Sequence, residues 1–171
     1  MPGPGSRRPR HDGPVALRGG GRGSGDGFVT VSDGSVRWGR FGAAGVLVRH
    51  IDTEGVHWYF LARRSIHTHQ GGSWAVPGGA LDHGESPLEG ALREFGEEIG
   101  PLGGAYRVVS VHQDDHGGWS YWTVILEVDE RFPVPERLSW ETAEARWVAA
   151  DELKELDLFA AFRASLERMG I

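Results

Sequence analysis

Apolar residues change rhythm several times along the chain, and each change marks an element. Residues 28–38 alternate around Asp33-Gly34, which predicts a β-hairpin. Residues 41–48 and 56–62 are near-continuous apolar runs separated by Asp52-Thr53-Glu54-Gly55, two strands and their turn. Residues 63–72 form a polar loop, and 74–76 a short strand before Pro77-Gly78-Gly79. The period then becomes helical: Leu88, Ala91, Leu92, Phe95 and Ile99 make one buried stripe. Residues 106–112 and 121–128 read as strands, with a loop over 114–118 between them. Residues 131–142 are rich in proline and charge and predict a surface loop. A short strand over 145–148 follows, then a helix capped by Asp151 and running to Leu156, then a helical stretch over 158–169. No apolar periodicity precedes Phe28, so residues 1–27 are expected to be a disordered Gly/Pro/Arg-rich tail, and 28–171 a single domain with an N-terminal hairpin. Strands on both sides of one strong helix, with helices at the end, predict an α/β fold with a mixed sheet between helical layers.

The strong helix carries its own boundary signals. Ser86 is placed to cap it, Pro87 occupies the first turn, and Glu89 stands where a capping-box carboxylate belongs. Gly100 and Pro101 stop it. On the face opposite the apolar stripe, Glu94, Glu97 and Glu98 stand at i, i+3 and i+4. Like charges at that spacing repel by a few tenths of a kcal/mol per pair, and a hard divalent cation reverses the sign. Arg93 lies four residues after Glu89 and four before Glu97, so it can brace the helix or hold a neighbouring carboxylate. A pair of glutamates alone would more simply be a solvated face.

The whole pattern from residue 79 to 101 goes further. Gly79, five residues, Glu85, seven residues, then Arg93-Glu94-Phe95-Gly96-Glu97-Glu98-Ile99-Gly100 resembles the Nudix box. Pro101 departs from the aliphatic residue the family prefers there, and Leu102 is positioned to take over its packing. The resemblance spans roughly residues 40–165 by element order and implies a Nudix-type α/β/α sandwich with a central mixed sheet. It also implies an enzyme that breaks a phosphoanhydride bond in a small nucleoside diphosphate derivative, with Mg²⁺ as cofactor and Mn²⁺ as a substitute. Carried over residue by residue, it makes Glu97, Glu98 and the Gly79 carbonyl metal ligands, and Glu94 a ligand or the general base. Arg93 would orient Glu94, Glu85 would close a salt bridge to Arg93, and Gly100 would be structural. Outside the box, Arg64 occupies the place of an arginine that meets substrate phosphate in the nucleoside-triphosphate group. Glu141 occupies that of an extra loop carboxylate for metal or water, with Glu144 as runner-up. That group is slightly favoured on this basis. The stretch 158–163 lacks the base-reading asparagine of the purine-sanitising members, and ADP-ribose, a nucleotide sugar or a dinucleoside polyphosphate stays open.

Composition narrows the remaining choices. With 171 residues there is chain enough for one real core, and with no cysteine there is no disulfide, zinc-thiolate or thiol-nucleophile chemistry. No run approaches a membrane span and no apolar leader precedes the domain, so a cytoplasmic protein with no membrane partner is expected. A net charge of −6 argues against a broad nucleic-acid footprint. Only the tail is strongly basic, so a small nucleotide is the expected partner and an RNA substrate is not; homodimerisation stays open. A nucleotide sensor that binds without turnover would be expected to carry a broken box, whereas this box keeps all its acids. His67 with His69 is a candidate metal pair, 114–116 a candidate cleft segment, and Trp74, Trp119 and Trp122 candidate base-stacking rings. Solvated loop, turn and core packing are the simpler readings of each.

Overall fold

The computed structural model describes residues 23–68 and 71–171. Its central strand is β3 (Ala43–Ile51), paired with β8 (Ser120–Val128) in parallel and with β4 (His57–Arg64) antiparallel. β8 pairs antiparallel with β7 (Tyr106–Asp115), and β4 with β9 (Thr142–Ala149). Two short strands, β5 (Trp74–Ala75) on β4 and β6 (Gly78–Ala80) on β3, complete a mixed sheet of seven strands. A separate hairpin of β1 (Phe28–Thr30) and β2 (Val36–Trp38) turns over Asp33-Gly34 as expected.

One irregularity of this sheet positions the site. β3 pairs with β4 only through residues 48–51, and with β6 through 43–45. The two long strands therefore part, and residues 74–80 fill the wedge between them. Gly78 is needed there: a Cβ would stand 2.5 Å from the Ala44 carbonyl oxygen.

Both faces of the sheet are covered, which is why its central strands read as continuous apolar runs. Ala44, Val46, Val48, Phe60, Val124 and Leu126 point to one side, where α1 (Pro87–Glu98) lays Ala91 and Phe95, followed by Ile99 at its C-cap. Leu47, Tyr59, Leu61, Ile125 and Val148 point to the other, against Phe162 and Leu166 of α2 (Ala160–Met169). The result is the α/β/α sandwich that the element order implied. Phe95 meets Phe60 at 5.7 Å between ring centres; full burial of such a side chain contributes about 1.5–3 kcal/mol. Leu102 packs against this core while Pro101 is exposed. Among the described residues no helix is long and apolar enough to cross a membrane.

Several expected boundaries shift. Asp114 and Asp115 belong to β7 and not to a loop. Asp114 is buried, accepting from Arg168 Nε at 2.6 Å and from the Ser165 hydroxyl, so α2 ties it into the strand. Residues 150–155 form a 3-10 segment with no side-chain cap, so Asp151 does not start an α-helix. α2 begins at Ala160 and not at 158, because the chain just before it continues the sheet: Trp74 donates to the Asp157 carbonyl and Phe159 donates back to Trp74, each at 2.8 Å. Most of the expected tail, 1–22, lies outside the described residues, but 23–27 are in place against Asp82 and Arg40.

Candidate active site

The helix α1 starts as its sequence dictates. Ser86 accepts from the Glu89 N–H and Glu89 reaches back to the Ser86 N–H, a closed capping box with Pro87 in the first turn. At its other end Gly100 takes a φ of 125°, a conformation costly for any residue with a Cβ, and donates to the Phe95 carbonyl at 3.2 Å. These two ends hold the acidic face over β6.

Arg93 is the hub of that face. Nε and Nη2 donate to the two oxygens of Glu85 at 2.7 and 3.0 Å, Nη2 also to the Ala80 carbonyl at 2.8 Å, and Nη1 to Glu94 at 2.6 Å and Glu97 at 3.5 Å. The Glu85 and Glu94 bonds hold Arg93 firmly protonated, raising its pKa against the cost of burial. Glu94 in turn packs on Gly79: a Cβ there would come within 2.4 Å of its carboxylate. The glycine that opens the motif is thus required by the close approach of a carboxylate from the helix.

Glu98 lies deeper. Its carboxylate accepts the Gly78 N–H at 3.1 Å and the Thr142 hydroxyl at 3.4 Å. Burial pushes its pKa up to about 8; the Gly78 N–H and the Arg64 charge oppose this, while Glu94 and Glu141 add to it. Burial likewise pushes Glu94 up to about 7 against the pull of Arg93, with Glu97 and Glu141 adding to the rise. Arg64, Val76, Glu98, Glu141 and Thr142 line one shallow polar cleft at the wedge between β4 and β6. Two residues singled out beyond the motif, Arg64 and Glu141, therefore meet the helix acids in a single place. Glu144 does not: Arg63 holds it at 3.1 Å.

Glu97 is set apart, with 60% of its side chain exposed. Among the described residues no three His, Asp or Glu side chains close into a ready-made cage. A hard cation that keeps several waters and takes one or two carboxylates fits such an arrangement, and two raised, mutually repelling carboxylates are what it would relieve.

Other sequence expectations are dispersed. His69 lies outside the described residues, so the His67–His69 pair has no geometry here. Trp74 and Trp119 are buried, the latter donating to the Gly39 carbonyl at 2.8 Å, and Trp122 packs against the α1-side core. None of the three lines the cleft. The contacts of Glu98 with Gly78 and Thr142 went unforeseen; their partners lie 20 and 44 residues away, and no local pattern carries them.

Comparison with known proteins shows the family. The model of the NUDIX domain matches residues 39–169. The chain is 40% identical over 155 residues to a protein of Mycobacterium tuberculosis named "Putative 8-oxo-dGTP diphosphatase 3", covering 86% of this chain and 70% of the relative. It is 30% identical over 130 residues to the asymmetrical bis(5′-nucleosyl)-tetraphosphatase of Sus scrofa, covering 71% and 83%. The crystal structure of a Nudix hydrolase from M. smegmatis, RenU, superposes with a TM-score of 0.71 at 36% identity, covering 85% of this chain and 92% of that one.

Proposed function

Because the chain belongs to the Nudix family, whose members it resembles as an enzyme acting on phosphoanhydride bonds, we propose that it is a Mg²⁺-dependent pyrophosphohydrolase of nucleoside 5′-triphosphates. The observation that carries this reading is the meeting of Arg64 with Glu98 and Glu141 in one cleft. A cation beside clustered acids suits a substrate that brings its own negative charge, with a metal between them.

Glu97, Glu98 and the Gly79 carbonyl would hold the ion, with Glu94 either a further ligand or the general base. When bound, Mg²⁺ would supply charge neutralisation on phosphate and a more acidic water. The chain's own residues supply the rest. Arg64 binds and orients a phosphate oxygen. Arg93, locked to Glu85, holds Glu94 in one rotamer, so that the carboxylate faces the reacting region without a search. Either Glu94 or Glu141 takes the proton from the attacking water, as a carboxylate held within reach of it.

The relatives named as diphosphatases of 8-oxo-dGTP support a triphosphate substrate, ordinary or oxidised. The resemblance to tetraphosphatases supports a second reading, a dinucleoside polyphosphate. A screen over nucleoside triphosphates, dinucleoside polyphosphates, ADP-ribose and nucleotide sugars, reading phosphate after added pyrophosphatase or phosphatase and identifying the products by mass spectrometry, decides between them. Pyrophosphate and a nucleoside monophosphate from triphosphates are expected. Turnover confined to the dinucleotides would replace the first reading with the second. Binding without turnover of any of them would make the protein a sensor.

A further inference from the structure

Two β-turns stand side by side at the mouth of the cleft. In one, Thr142 N–H donates to the Ser139 carbonyl at 3.1 Å, which puts Trp140 and Glu141 at the corner. In the other, Thr68 N–H donates to the Ser65 carbonyl at 3.0 Å, which puts Ile66 and His67 at the corner. The turns are joined by Ser65 N–H to the Glu141 carbonyl at 2.7 Å. The first is also anchored to α1, through Ser139 N–H to the Glu98 carbonyl at 3.0 Å. Each corner thus presents a large apolar residue to solvent: Trp140 is 73% exposed and Ile66 77%. A solvent-facing tryptophan on a hydrogen-bonded turn is an unusual use of that side chain, since burying its ring is the commoner outcome.

Two other exposed rings of the described chain are engaged. Phe28 packs edge-on against Trp38 at 4.9 Å, and Phe41 against His83 at 5.2 Å. No ring or cation stands over Trp140 among the described residues. It is the immediate chain neighbour of Glu141, which lines the cleft, and the cleft itself holds no aromatic side chain. A base whose phosphates lie against Arg64 has to leave the cleft across its rim.

We propose that Trp140, with Ile66 beside it, is the platform on which the nucleobase of the substrate stacks while its phosphates occupy the cleft. This rests on the nucleotide reading above and adds the residue that holds the base. Stacking uses the π-face that every base has, so the platform supplies affinity with little discrimination between bases.

The test is steady-state kinetics of wild type, Trp140→Ala and Trp140→Phe on dGTP and on deoxyribose 5-triphosphate, which lacks a base. Trp140→Ala is expected to raise KM for dGTP on the order of tenfold with kcat within about twofold, and to leave KM for the base-free compound unchanged. Trp140→Phe should stay near wild type. An unchanged KM for dGTP in Trp140→Ala, or an equal rise for both compounds, overturns the proposal. So does a change in sedimentation without a change in KM, which would make a second copy the occupant of the ring. Calorimetry with a methylene-bridged, non-hydrolysable GTP analogue separates this from the reading it rests on. Weaker binding to Trp140→Ala in a protein that hydrolyses nothing keeps the platform and sinks only the hydrolase.

Discussion

Gly25 donates its backbone N–H to the Asp82 carboxylate at 2.9 Å, across 57 residues of chain. Ser24 reinforces the contact from both sides: its hydroxyl donates to the same oxygen at 3.1 Å and accepts the His83 N–H at 2.8 Å. The other oxygen of Asp82 lies 3.8 Å from Arg93 Nε. The Gly25 N–H, more than Ser24 or Arg93, holds the Asp82 carboxyl below its ordinary range against a smaller effect of burial. Only glycine fits at 25, where a Cβ would stand 1.8 Å from the Leu81 carbonyl oxygen. A segment of the expected tail therefore clasps the loop that leads into α1, through an aspartate that itself lies beside Arg93.

That clasp separates two truncations. Removing residues 1–22 should leave the melting temperature and turnover near wild type. Removing 1–27 should cost about 1–3 kcal/mol, from hydrogen bonds to a charged acceptor, and lower kcat through a loosened Arg93. Thermal melts and initial rates of the two proteins check this. Equal behaviour of both would show that the clasp does nothing for the site.

The raised carboxylates make stability depend on pH in a defined direction. Glu94 and Glu98 bind protons up to about 7 and about 8 in the folded chain, and only up to about 4.5 when unfolded. Between those values the folded state holds more protons, so stability falls as pH rises through roughly 4.5 to 8. A bound divalent ion favours the ionised forms, so saturating Mg²⁺ should flatten the fall, and binding should release protons near pH 7. Melting curves from pH 5 to 9 with and without Mg²⁺ measure both. Glu98→Gln should remove the Glu98 share of the slope and leave that of Glu94; an undiminished slope would mean that other groups set it.

Turnover should stop in EDTA and return with Mg²⁺ or Mn²⁺. Glu98→Gln and Glu97→Gln should each cost on the order of 10²-fold in rate if both hold the ion. A near-normal rate in Glu97→Gln would leave that exposed residue as a partner of Arg93 alone.

Glu94 and Glu141 are separated by different readouts. If Glu94 is the base, Glu94→Gln keeps metal affinity and lowers kcat by about 10²- to 10⁴-fold, with the acidic limb of the pH profile altered. If Glu141 is the base, that pattern moves to Glu141→Gln. Gly79→Ala should resemble a Glu94 variant, because its Cβ would displace the same carboxylate. A Gly79→Ala protein with full activity would show that the close approach carries no function.

Asp114 tests the other face of the sheet. Burial works to raise its pKa, and the Ser165 and Arg168 bonds outweigh it, leaving the carboxyl below its ordinary value. Asp114→Ala should cost about 1–3 kcal/mol at pH 7, a cost that shrinks as pH falls through the depressed pKa and the wild-type carboxylate is itself protonated. Chemical denaturation at pH 7 and pH 3 makes the comparison.

What the sequence determined by itself was everything local or periodic. The capping box of Ser86 and Glu89, the apolar stripe through Phe95, the stop at Gly100 and the hairpin at Asp33-Gly34 all depend on neighbours within a few residues. The alternation of buried positions on β3, β4 and β8 depends only on a period of two and on cover from both sides, so the α/β sandwich was legible before any coordinate. The motif from Gly79 to Gly100 also showed which acids share a helix face. The tertiary structure decided whatever needs two distant segments at once. It parted β3 from β4 so that Arg64 and Glu141 reach Glu98, and it drew Asp114 out of an expected loop into a bond with α2. It also turned Gly25 from tail into clasp. These contacts join residues 34 to 57 positions apart. Their free energy comes from desolvation and hydrogen bonding between surfaces that only the folded chain brings together, and no local pattern of residues records it.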